Sequence, residues 1–78
     1  MFKKIDYILS LTCPLLQSLE MIEMMVDYRW RANRHHWTAS EEVVKKNLSA
    51  RLESDMRWYG HAAISDQFFD YFELNREV

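Results

Sequence analysis

The run Tyr28-Arg29-Trp30-Arg31-Ala32-Asn33-Arg34-His35-His36-Trp37 holds three arginines, two histidines and three aromatic rings, and no acid. Guanidinium groups pair with phosphates or carboxylates, and imidazoles exchange protons near neutral pH. Aromatic rings stack on bases or fill pockets on a partner protein. Interleaved Arg and aromatic residues therefore suit a nucleic acid, which offers phosphates and flat bases in alternation. They suit a protein partner equally, because Tyr, Trp and Arg are the usual interface anchors. They also suit a plain helix end: cations favour the C-terminal pole of the helix dipole, and Asp27 stands four residues before Arg31.

Charge distribution separates these readings. The net charge is −2 over 78 residues; it sums to −2 over 1–28, +3 over 29–37, zero over 38–60 and −3 over 61–78. Such a chain repels phosphate over most of its surface, whereas a protein partner needs only a complementary local patch. The favoured expectation is a small non-enzymatic protein-interaction module, acting as an inhibitor, adaptor or regulatory subunit. It would bind its partner through an apolar and aromatic helix face and through Tyr28, Arg29, Arg31, Arg34, His35, His36 and Trp37. The alternative is a nucleic-acid binder using the segment 29–37.

A third and more remote reading comes from Arg31 and His36, which have four residues between them. This resembles the Arg-x4–6-His motif of HEPN ribonucleases, a helical family that cleaves RNA at a dimer interface. The resemblance covers six residues, and the chain is shorter than a usual HEPN domain. It implies an imidazole for acid–base work and a guanidinium for the phosphate charge. Glu20, Glu23 and Asp27 share a helix face, and Glu20-x-x-Glu23 resembles the first magnesium-binding half-motif of MazG-type all-α NTP pyrophosphatases. The second half, an ExxD on the next helix, is missing, so a solvated acidic face is expected. Cys13, His35, His36 and His61 contain no pair at i,i+4 or Cys-x2–4-Cys spacing, and adjacent helical histidines point about 100° apart. No metal or other cofactor is expected. With no nucleophile–base arrangement and no phosphate-cradling glycine loop, no catalytic residue is assigned.

The elements that must position these groups are helices. The chain has one Gly and one Pro and is rich in Leu, Met, Glu, Arg, Lys and Ala, which favour helix. At 49% hydrophobic and 14% aromatic it is far from disordered composition. The expected fold is all-α: a single domain over 1–78, built as a small bundle of three to four helices. A core of this size gains from a second copy, so a homodimer is expected. Cys13 is the only cysteine, which fits a reducing, cytoplasmic setting. Lys3 and Lys4 before an apolar run faintly suggest a secretory leader. Asp6 interrupts that run and no small-residue cleavage site follows, so a first helix is expected instead. No stretch approaches the roughly 20 apolar residues of a membrane span.

The first helix is predicted over 2–11, with Phe2, Ile5, Ile8 and Leu9 on one face. The second is predicted over about 13–34, with Thr12 as cap and Pro14 in the first turn; one helix kinked at Pro14 is the alternative. Its main stripe is Leu15, Leu19, Ile22, Val26 and Trp30, widened by Leu16, Met21, Met24, Met25 and Tyr28. Thr38-Ala39-Ser40-Glu41 reads as a capping box with Thr38 as cap, opening a third helix with stripe Val44, Leu48, Leu52, Met56 and Tyr59 that stops at Gly60. The fourth runs from Ala62 or Ser65 to Asn75, with Ile64, Phe68, Tyr71, Phe72 and Asn75 at helical spacing.

Overall fold

Proline lacks an N–H and disfavours helical backbone in the residue before it, so a helix readily starts at Pro14 and does not run through it. In the computed structural model, which describes residues 2–75, α1 (Phe2–Ser10) ends and α2 (Pro14–Ala32) begins across this break. The kinked single helix is thereby excluded. The cap of α2 is Cys13 rather than Thr12, in extended backbone and without a side-chain bond. Gln17 supplies the missing polar link by donating through Nε2 to the Ile8 carbonyl at 2.9 Å and the Leu11 carbonyl at 3.4 Å. Those carbonyls lie at and just past the C-terminal end of α1, and that of Ile8 also accepts from the Leu11 backbone N–H at 3.1 Å.

α3 spans Glu41–Tyr59 and α4 spans His61–Tyr71, and no strand occurs among the described residues. The capping box is corrected by the structure. Ser40 is the cap, accepting from the Val43 backbone N–H at 3.4 Å, and α3 starts at Glu41. Glu41 then turns along its own helix to Lys45 at 2.8 Å instead of reaching back. α2 stops at Ala32, two residues earlier than its periodicity suggests. Asn33 closes it, its backbone N–H and its side-chain amide both donating to the Arg29 carbonyl. α4 starts one residue before Ala62 and ends before Asn75. There Leu74 N–H bonds the Phe69 carbonyl, Glu73 N–H bonds that of Asp70, and Glu73 takes a left-handed φ of 53°. This is a Schellman ending, which satisfies the last carbonyls of the helix.

α2 is the central element. It packs against α1, α3 and α4; α3 and α4 pack on each other, and the backbone of α1 approaches α2 alone. One core joins Ile5 and Ile8 of α1, Met21, Ile22, Met24, Met25 and Val26 of α2, Val44, Leu48 and Leu52 of α3, and Ile64 and Phe68 of α4. Each such side chain contributes roughly 1.5–3 kcal/mol when fully buried. The expected stripe of α3 holds through Leu52, while Met56 is half-buried and Tyr59 is exposed. The stripe of α2 is shifted: Leu15 and Leu19 face solvent, and Ser18 lies fully buried between them in sequence. Leu9 is exposed as well, and the expectation for the Phe2 side chain falls outside the described residues. No helix among the described residues is long and apolar enough to cross a membrane.

Candidate functional site

The basic-aromatic run divides into two parts. Its first half lies on the last turns of α2 and is engaged within the fold. Tyr28 meets Phe72 edge-on at 5.4 Å, the Arg29 guanidinium lies 5.5 Å from the Tyr71 ring centroid, and Arg31 lies 5.6 Å from that of Tyr28. Arg31 also pairs with Asp27 through Nη2 at 3.0 Å. The Tyr28–Phe72 and Arg29–Tyr71 contacts tie the end of α2 to the end of α4, while Arg31 stays on its own helix.

The second half is a turn followed by an extended approach to α3. His36 N–H bonds the Asn33 carbonyl at 2.8 Å, which closes the turn. Arg34, His35 and His36 stay exposed there. Trp37 folds back and stacks on Trp30, with centroids 6.5 Å apart and planes 9° apart. Its ring is half-buried, and the indole Nε1 is buried without an acceptor. Arg31 and His36 are thus placed differently: the guanidinium is held by Asp27, and the imidazole stands in the turn beyond the helix end.

Two of the three acids on the α2 face are engaged. Glu23 faces Lys4 at 3.9 Å, and Asp27 takes both Arg31 and Lys45, the latter at 3.1 Å. Lys45 bridges Asp27 and Glu41, and the two carboxylates hold its ammonium above the ordinary lysine range, Glu41 contributing most. Lys4, Glu23, Asp27, Arg31 and Lys45 line an open groove of about 600 Å³, together with Leu19, Ile22, Val26 and Glu53. Among the described residues no group of three or more His, Cys, Asp or Glu side chains gathers in a way that could hold a metal ion.

Two features escaped the periodicity. Trp58 and Tyr59, at the end of α3, are 77% and 74% exposed. Trp58 lies off the Val44–Leu48–Leu52 stripe by helical geometry, a signal that was legible. The other is a hydrogen bond between the Ser18 hydroxyl and His61 Nδ1, joining α2 to the first residue of α4. Sequence spacing carries no sign of a pair 43 residues apart. Ser18 is fully buried, so its hydroxyl is sealed from any substrate, and the pair serves as a polar cross-link. No protein-family model, no curated protein and no solved structure matches this chain.

Proposed function

We propose that the chain is a non-enzymatic protein-interaction module, an inhibitor, adaptor or regulatory subunit. The observation that carries this reading is the exposure of two successive large rings, Trp58 and Tyr59, at the end of α3. Large rings cost solubility when left in water and concentrate binding energy when a partner covers them. The basic turn at Arg34, His35 and His36 supports the same reading, since these side chains are not used by the core. The engaged state of Arg29 and Arg31 limits a phosphate-binding role for the segment. A second copy of the chain is the proposed occupant of a separate face, where Leu15, Leu16 and Leu19 stand out from the first turns of α2. A lone exposed thiol, Cys13, accords with a reducing, cytoplasmic setting.

Affinity capture after nuclease treatment tests the reading. Wild type should retain a partner that Trp58→Ala loses, with affinity down by roughly 30-fold or more. Loss of every retained protein on nuclease treatment of the wild type would favour the nucleic-acid reading instead. For the second copy, light scattering at micromolar concentration should report a dimer that Leu16→Glu converts to monomer. A monomeric wild type would remove that part of the proposal.

A further inference from the structure

Two concavities of the surface differ in how their polar groups are engaged. In the groove over α2, Lys4, Glu23, Asp27, Arg31 and Lys45 neutralise one another. The smaller pocket, about 290 Å³, lies where the connection from α2 meets α3. Val44 and Leu48 of the core contribute its apolar lining, Trp37 and Ala39 add to it, and Thr38, Asn47 and Arg51 supply its polar groups. No acid lines it. Arg51 is exposed, and no carboxylate of the described residues pairs with it. Glu41, in the neighbouring first turn of α3, is held by Lys45.

Every charged or orphaned group here is a donor. Arg51 presents a guanidinium fork, the Asn47 amide can donate, and the Trp37 indole N–H is buried with no acceptor. A buried N–H without an acceptor is costly, so a small turn of the ring that reached one would be favourable. The arginines of the preceding segment, net +3, raise the local potential further.

We propose that this pocket binds an acidic peptide segment of the partner protein, seating one Asp or Glu side chain between Arg51 and Trp37 with an apolar neighbour against Val44 and Leu48. The inference rests on the interaction-module reading and names the partner chemistry. Carboxylate geometry matches a guanidinium fork, and a side chain with its neighbour suits a site of this volume better than a nucleotide does.

The probe is a capped synthetic peptide, Leu-Asp-Glu-Leu, titrated into the 15N-labelled full-length chain. The Trp37 indole Nε1–H resonance, identified by its disappearance in Trp37→Phe, is the readout. It should shift on titration, and the amide peptide Leu-Asn-Gln-Leu should leave it in place. Arg51→Gln, a surface change that leaves the core untouched, should weaken the acidic peptide about fivefold or more. The inference is overturned by no shift at millimolar peptide, by an equal shift with the amide peptide, or by full affinity in Arg51→Gln. It is also overturned if only inorganic phosphate or a single-stranded oligonucleotide moves the resonance. The module reading fails on a different result, the absence of any nuclease-resistant partner, so the two outcomes are distinguishable.

Discussion

The Ser18 hydroxyl, fully buried in α2, is hydrogen-bonded to Nδ1 of His61, which opens α4. An apolar contact between helices tolerates sliding, whereas a single polar pair inside it specifies one register. His61→Ala should therefore destabilise the fold by about 1–3 kcal/mol, because the buried hydroxyl loses its partner. Ser18→Ala should cost less, since the half-buried imidazole can turn to water. Urea unfolding of both variants checks the order. If His61→Ala were as stable as wild type, the hydroxyl must have turned back to the Pro14 carbonyl, four residues earlier on its own helix.

One residue, Gly60, separates α3 from α4, with φ 84° and ψ −177°. This backbone region is almost confined to glycine, and a Cβ placed there would meet no atom within 4 Å beyond its own residue and the two beside it. Any cost of Gly60→Ala is thus backbone strain and not crowding. The variant should lose about 1–3 kcal/mol in thermal or urea unfolding. A neutral result would mean that the junction relaxes into another conformation, which would also move Tyr59 and His61.

Helix capping distinguishes two neighbouring hydroxyls. Ser40→Ala should destabilise by about 0.5–2 kcal/mol, toward the lower end because its bond to Val43 is long at 3.4 Å. Thr38→Ala should stay within about 0.5 kcal/mol, as for an ordinary surface change. Equal losses for the two would mean that the helix begins earlier than Glu41.

Lys45 gives the fold a dependence on alkaline pH. Glu41 and Asp27 raise its folded-state pKa above the unfolded value. Its contribution is therefore fully present below about pH 10.4, the ordinary lysine value, and is lost as pH rises through the higher folded value. Unfolding free energy measured from pH 9 to 12 should fall more steeply for wild type than for Lys45→Met. Parallel curves would show that the bridge adds nothing to stability. The lysine is about one-third exposed, which keeps the effect small.

Local signals in the sequence determined the all-α class and the order of the helical segments, with their ends placed to within a few residues, and left three or four helices open. Pro14, Gly60 and the serine and threonine before Glu41 act on their own few residues, so they can be read without knowing what packs where. The expected cap lies two residues too early because Thr38 has a glutamate three residues on and Ser40 has Val43 there, whereas the structure caps α3 with the Ser40 hydroxyl and leaves the box unformed. The tertiary structure alone decided which apolar residues of α2 are covered. α2 has 19 residues, about 28 Å, while α1 has nine and α4 eleven, about 13 and 16 Å. α3 is as long as α2, so length alone does not choose the covered surface; α2 is apolar on more than one face, and its neighbours cover the one that carries Ser18 and Met21, which leaves Leu15 and Leu19 in water although their spacing matches that of Ile22 and Val26. The same holds for the basic run. The Asp27–Arg31 pair was legible as an i,i+4 spacing, but Tyr71 and Phe72 also occupy the first half of the run, and only three-dimensional proximity could pair groups so far apart along the chain.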